Sequence, residues 1–450
     1  MVRLLRRQCP ERAPTPATPL PVSALTGLSG LSGSERRAIL HERIPPIPDF
    51  IKRRTALTLL GAPFFAPLGK AAFVLSTATV PLPVMSEPRL PARVLSVGDG
   101  QRFRSIREAA AAARDGDIVE IEAGTYAGDV AVWTQQRLTI RGVNGRPLLL
   151  ATGASAEGKG IWVLRNGDFE IENISFSGAR VSDRNGAGIR FERGRLVVRR
   201  CSFEDNENGI LTGNDGESEL VVEECEFVAN GADDGYSHNL YAGVIGALSV
   251  RGSYFSRARA GHLIKSRARR CEIAYSRLTD ERSGNASYEL ELANGGIGVV
   301  VGNLIQQGPG TENNVMISYG AEGYRWSENR LYLVHNTLVN EGPPHGVFLY
   351  AARGDASVRS QKNILVGPGS VRVESALRTI GDVRLAKRDF AAADRFDYRL
   401  RASSRGTRIV DLQDAANVGL TPTREYVHPA RSRPLAAPPS LPGSFQSLAP

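Results

Sequence analysis

From Phe169 to Leu365 the apolar positions follow one recurring pattern: apolar, any, apolar, two of any, a small or polar residue, any, apolar. It reads FEIENISF from Phe169, LVVRRCSF from Leu196, LVVEECEF from Leu220, LSVRGSYF from Leu248, CEIAYSRL from Cys271, GVVVGNLI from Gly298 and LYLVHNTL from Leu331. A weaker copy, VRSQKNIL, begins at Val358. Successive starts lie 27, 24, 28, 23, 27, 33 and 27 residues apart. Alternating apolar positions are the signature of a strand, and a unit of this length cannot bury its apolar face alone, so the units must stack.

Between these copies falls a second short strand per repeat: GIRF from Gly188, GILT from Gly209, NLYA from Asn239, HLIK from His262, ELEL from Glu289, VMIS from Val315 and VFLY from Val347. Two or three strands per coil, broken by Gly, Asn and Asp turns, predict an all-β parallel β-helix rising roughly 4.8 Å per coil. No amphipathic segment of helix length falls inside the array, so leucine-rich and helical repeats fit it poorly. Asn303, Asn336 and Asn363 recur at one repeat position and predict a structural asparagine ladder.

Ahead of the array, FRSIREAAAAAR from Phe103 to Arg114 carries Phe103, Ile106, Ala109 and Ala110 on one face, a helix suited to capping the open first coil. The ladder, its Asn-rich turns and the opening segment RSIREAAAAARDGDIVEIEAGTY resemble the right-handed parallel β-helix superfamily, which includes pectate lyases, alginate lyases, chondroitin lyases and epimerases. The resemblance covers about Val94 to Asp411 and implies the fold; the scaffold also carries hydrolases and adhesins, so it does not fix a reaction.

The ends read differently. Residues 1–50 are rich in Pro, Ser, Gly and Arg without a period and read as a disordered extension. Residues 51–93 hold Arg53-Arg54 in RRTAL before a moderately apolar run, similar to a twin-arginine export signal and pointing to the periplasm or the outside of the cell. Pro63, Pro67 and Lys70 interrupt that run, so stable membrane insertion is not expected. Residues 94–411 are expected to form the β-helix domain and 412–450 a Pro-rich C-terminal tail, read as unstructured beyond His428. The 450 residues carry a formal charge of +9, which favours an anionic partner; basic residues are not interleaved with stacking aromatics, which argues against nucleic acid. Cys201 and Cys225 share a repeat position on adjacent coils, and the preferred reading is two buried thiols over a bridge.

Because the inside of a solenoid is packed, chemistry is sought on outward side chains. The second-strand column lines up Asn239, His262 and Glu289, and nearby lie His238, Tyr241, Lys265, Arg267 and Glu291. Strict alternation gives Lys265 and Arg267 the inward parity of Leu263, so a bulge after Ile264 is expected to turn both outward. Uronate elimination needs a neutralised carboxylate, a base and an acid; Arg267 suits the first task, Lys265 or His262 the second, Tyr241 or His238 the third. Glu289, Glu291 and Asn239 supply oxygen ligands for Ca²⁺, similar to calcium-assisted lyases that pair an Asn with Glu-x-Glu beside a Lys and an Arg. In this chain Lys265 and Arg267 precede the glutamates by one coil. Tyr319 and Glu322 in ISYGAEG would widen a sugar groove. An ion-pair ladder for the glutamates and backbone hydrogen bonding for the histidines are the structural alternatives. Two functions therefore stand: an exported lyase or C5-epimerase acting on an anionic polysaccharide, and a non-catalytic glycan-binding or envelope β-helix.

Overall fold

A computed structural model describes residues 92–408 and 420–449; the head and the export-like segment lie outside the described residues as far as residue 91. Three parallel sheets of 12, 10 and 11 strands form the walls of one solenoid. The first runs from Val94–Val97 to Ala376–Ile380, the second from Ala131–Trp133 to Ser370–Val373, and the third from Thr125–Ala127 to Val383–Leu385. Within each coil the chain passes from the first sheet to the third, then to the second. Every copy of the first recurring pattern lies on first-sheet and third-sheet strands, and its inward positions, such as Leu196, Val198 and Phe203, are fully buried.

The corner from first to third sheet is constant. From Asn173 to Asp382 each coil turns there in two residues. The leading residue is left-handed every time, with φ between 50° at Arg200 and 66° at Gly302. The second points inward, and from Cys225 onward its side chain accepts a hydrogen bond from its counterpart's backbone on the preceding coil. Cys201 N donates to Cys225 Sγ (3.4 Å), Cys225 N to Ser253 Oγ (3.1 Å), Ser253 N to Ser276 Oγ (3.1 Å) and Ser276 N to Asn303 Oδ1 (2.9 Å). The line continues through Asn336 and Asn363 to Asp382 Oδ1, each link 2.8 or 2.9 Å. A buried turn cannot leave its N–H groups unpaired, and this ladder satisfies them while offsetting the left-handed backbone. The expected asparagine ladder is therefore present, and Cys201 and Cys225 are free buried thiols inside it.

The inner side of the third sheet stacks Phe176, Phe203, Phe227 and Phe255 with ring centroids 5.1, 4.7 and 4.5 Å apart. Identical rings on identical rungs stack, and each pair adds about 0.5–1.5 kcal/mol beyond area burial. At the N-terminal end the helix Ile106–Ala112 is capped by Ser105, whose side chain accepts from Glu108 N while Glu108 reaches back. Its buried face is Ile106, Ala109 and Ala110, packed against Val94–Val97 and Ala131–Trp133.

The C-terminal segment corrects the sequence reading of an unstructured tail. Residues 424–434 form an antiparallel hairpin, and Ser444 N and Oγ reach Thr337 Oγ1 at 3.1 and 3.0 Å. Gly443 lies so close to the solenoid that an added Cβ would stand 2.5 Å from Ile364 Cδ1. The reason is the outer face of the third sheet: Leu304, Val339, Ile364 and Val366 need a cover, and Leu441 with Phe445 supplies it. Proline suppressed the strand period there without preventing docking.

Candidate functional site

The second sheet carries an outward file in strict register. Arg190 pairs with Leu211, Leu211 with Tyr241, Tyr241 with Lys265, Lys265 with Glu291, and Glu291 with Ser318. Ile264 faces inward and is buried, so Ile264–Ser266 is a regular strand and no bulge is needed to bring Lys265 out. His262 lies one residue out of step with Asn239 and Glu289, because Leu240 pairs with Ile264 and Ile264 with Leu290.

A groove of about 590 Å³ lies over this file, lined in part by Arg190, Asn208, Tyr241, Lys265, Arg267 and Glu322. Its walls are long connections. On one side the segments 178–186 and 229–239 rise on either side of the short connection 205–207. Arg184 ties the two together: its guanidinium bonds Ala232 O, its Nε lies 3.4 Å from Asp234 Oδ2, and its carbonyl accepts from Ser237 Oγ at 3.0 Å. On the other side stands 320–329, in the coil whose repeat spacing of 33 is the longest. Asp183, Arg184, Arg190, Asn208, Asn214 and Tyr236 line the groove without having been singled out in the sequence. The signal was the uneven spacing, 27 and 28 flanking 24, which marks two long coils around a short one.

The electrostatics separate the candidates. Lys265 Nζ lies 3.0 Å from Glu291 Oε2 and 2.9 Å from Glu322 Oε1. Burial alone would lower the Lys265 ammonium pKa, but these two carboxylates carry it above its ordinary value, so Lys265 is a cation. Arg267 holds Glu322 with two bonds, Nε to Oε2 at 2.7 Å and Nη2 to Oε1 at 2.8 Å. Its Cζ sits 5.2 Å from the centroid of the Tyr241 ring. Burial would raise the Glu291 carboxyl, yet His262 and Lys265 beside it bring it down to about 2. His262 itself is pushed down by burial and is neutral, which leaves Lys265 as the charged partner.

His238 is buried, with its ring edge against Tyr241 at 5.1 Å between centroids. Burial first, then His262, Lys265 and Arg267, lowers its pKa well below the ordinary value. Its Nδ1 accepts the backbone N–H of His262 at 2.9 Å, which assigns the ring proton to Nε2. His238 is thus a neutral hydrogen-bond donor at the groove and not a base.

Several sequence expectations are corrected. Asn239 is fully buried: its Oδ1 accepts from Asn230 N (3.1 Å) and Nδ2 (2.8 Å), and its Nδ2 donates to Ser256 O (3.0 Å). It extends a second ladder, Asn206 to Asn230 to Asn239, at the corner between third and second sheets. Glu289 is fully buried beside Asp280 and Gln307, and burial drives its pKa well up. Tyr319 is also core, its hydroxyl donating to Gly296 O at 2.7 Å. His262 packs behind the groove against His238 and Tyr288. The oxygen donors expected for Ca²⁺ are not brought together: Asn239 and Glu289 turn inward, and Glu291 is taken by Lys265. No group of three His, Cys, Asp or Glu suited to a metal occurs among the described residues. Tyr241, Lys265, Arg267, His238 and Glu322 do meet at one groove.

The comparisons fall in line with this architecture. A model of the family described as "Right handed beta helix region" matches residues 150–278. The crystal structure of pectate lyase Pel9A superposes with a TM-score of 0.55 at 12% identity, over 79% of this chain and 96% of that one. The fold is a right-handed parallel β-helix. A mutant of the PL6 family alginate lyase AlyGC aligns at 15% identity over 66% of this chain and 41% of its own, with a TM-score of 0.31, too slight an overlap to speak to the fold. No curated protein matches the chain in sequence. In the β-helix, the first-to-third corner is uniform, while the connections beside the second sheet vary and build the groove.

Proposed function

We propose that this β-helix acts on an anionic polysaccharide at the second-sheet groove, as a uronate β-elimination lyase or a C5-epimerase. The observation that carries the reading is the joint projection of Tyr241, Lys265 and Arg267 into one groove from adjacent coils. Arg267 and Lys265 are cationic side chains suited to neutralising a uronate carboxylate, which acidifies the C5 hydrogen. Lys265, held protonated, is not the base expected from the sequence. Tyr241, flanked by both cations, takes that role as its phenolate. In elimination it accepts the C5 proton, the C4–O4 bond breaks with its electron pair going to O4, a C4–C5 double bond forms, and the proton passes from Tyr241 to O4. In epimerisation Tyr241 keeps the proton taken from C5, a solvent water on the opposite face of the ring protonates C5 there, and the hydroxide left behind takes the proton from Tyr241 and restores its phenolate. The His238 Nε2–H serves as a hydrogen-bond donor to the sugar.

The superposition on a pectate lyase supports the substrate class through the fold alone. The test is ultraviolet absorbance of the unsaturated uronate across pectate, alginate and glycosaminoglycans, with NMR of the product for epimerisation. Turnover that falls in Tyr241→Phe and Arg267→Ala supports the reading; no change in any uronate leaves the non-catalytic glycan binder in its place. Export belongs to the same proposal, and Arg53→Lys with Arg54→Lys, followed by cell fractionation, tests it.

A further inference from the structure

The cationic pair in the groove already holds a carboxylate, and that carboxylate belongs to the chain itself. Glu322 spans Lys265 Nζ (2.9 Å) and Arg267 Nε and Nη2 (2.7 and 2.8 Å). The side chains differ in how firmly they are held. Lys265 and Arg267 are 13% and 24% exposed, whereas Glu322 is 36% exposed and has no other side-chain partner in the cluster. If the Glu322 carboxylate swings away, Lys265 stays aimed by Glu291, which is 5% exposed. Arg267 stays against the Tyr241 ring, and its carbonyl accepts Trp326 Nε1 at 3.3 Å. Lys265 is therefore aimed independently of the occupant, and Arg267 keeps its place over the Tyr241 ring.

The turn that presents Glu322 is fixed at its backbone. Glu322 N donates to Ala293 O (2.9 Å), Gly323 N to Gly320 O (3.0 Å) and Arg325 N to Asn294 O (3.0 Å). Gly320 and Gly323 supply the left-handed corners, φ 75° and 88°. Release of the clamp thus needs a side-chain rotation only. We propose that Glu322 holds the place of a ligand carboxylate: Lys265 and Arg267 form an anion site for a hexuronate, and the sugar carboxylate enters by exchanging with Glu322. The exchange swaps one carboxylate for another, so the two cations are never left unpaired. It makes Glu322 a specificity-determining residue, because a neutral sugar cannot displace it. The identity of the ligand as a uronate rests on the function proposed above; the anion site does not.

The test uses the full chain with two probes, trigalacturonate and inorganic sulfate, and methyl-esterified trigalacturonate as the neutral control, with binding followed by calorimetry. Glu322→Gln removes the competing charge and is expected to tighten both anionic probes about fivefold to tenfold, leaving the ester unchanged. Arg267→Ala in the Glu322→Gln background is expected to abolish the gain. Glu322→Ala, with a thermal melt alongside, guards against a folding defect in the first variant. Anion binding that is unchanged, weaker or undetectable in both Glu322 variants overturns the proposal, as does a gain that survives loss of Arg267. A sulfate gain without turnover of any uronate would sink the lyase reading and leave the exchange site standing.

Discussion

Glu289 and Glu291 are two residues apart, flanking Leu290 on one coil, and they belong to opposite regions of the molecule. Glu289 sits in the inner corner with Asp280 and Gln307, where three oxygens, Asp280 Oδ2, Glu289 Oε1 and Gln307 Oε1, find no hydrogen-bond partner. Glu291 stands on the outer file beside Lys265 and His262. In the first region burial has no cation to oppose it, and Asp280 rises to about 7. In the second the His262 ring and the Lys265 ammonium together outweigh burial, and Glu291 falls to about 2. The difference teaches that a solenoid coil has two electrostatic sides within a few ångströms, and that a residue's side is decided by where the strand begins. Glu289 precedes the strand Leu290–Leu292 and follows the corner inward; Glu291 is inside it and obeys the alternation.

The largest effect that would break this contrast is catalytic. Tyr241→Phe is expected to lower kcat by about 10²–10⁴-fold with an unchanged melting temperature, since the ring stays and only the proton-transfer group is lost. A full-rate variant would remove chemistry from the outer file.

Next comes the inner corner. The folded pKa of Asp280 lies above its unfolded value near 4, so its contribution to stability is complete below about pH 4 and is lost as pH rises towards 7. Asp280→Asn keeps an acceptor for Ala286 N, which lies 2.9 Å from Oδ1, and removes the titration. Urea unfolding is expected to give a variant more stable than the wild type by up to ~4 kcal/mol at pH 8, with the advantage vanishing near pH 4. An advantage independent of pH would mean that Asp280 does not titrate in the fold.

Glu291→Gln should behave in the opposite sense. The depressed carboxyl stabilises the fold above its unfolded pKa of about 4.3, and that stabilisation is lost as pH falls through about 2. A loss of about 3 kcal/mol at pH 7, shrinking below pH 4, is the expected outcome of urea melts. The smallest effect concerns the groove's rim. Tyr236 is 83% exposed on a segment pinned by Asp234 and Ser237, a posture suited to stacking on a sugar ring. Tyr236→Ala is expected to raise KM a few-fold without changing kcat or stability.

Much of this was legible in the chain. The stack and the asparagine ladder followed from the period and from the recurrence of Asn303, Asn336 and Asn363, and the helix Ile106–Ala112 from the spacing of its buried face. Tyr241, Lys265 and Arg267 were found as a group because basic and aromatic residues on adjacent strands have nowhere to go but out. Asn239 and Glu289 were misplaced for one physical reason: parity can be counted only inside a strand, and each corner resets it, whereas Tyr319 ends the strand Val315–Tyr319 at the inward parity of Ile317 and was drawn outward only by the turn residues that follow it. Asn239 lies just before Leu240–Ala242, as Glu289 lies just before Leu290–Leu292. The one-residue offset of His262 comes from the same source. The groove walls were out of reach because the pairing of Arg184 with Asp234 joins segments two coils apart, a distance that no local pattern encodes.

The invariant two-residue corner, with its left-handed lead and its ladder, acts as a metronome: it keeps the coils in phase whatever happens elsewhere in each turn. The opposite two corners are consequently free to lengthen or shorten without disturbing the rungs beneath them. A β-helix with this division of labour could exchange the segments at 178–186, 229–239 or 320–329 for others and acquire a groove of new shape, while the file carrying Tyr241 and Lys265 kept its spacing.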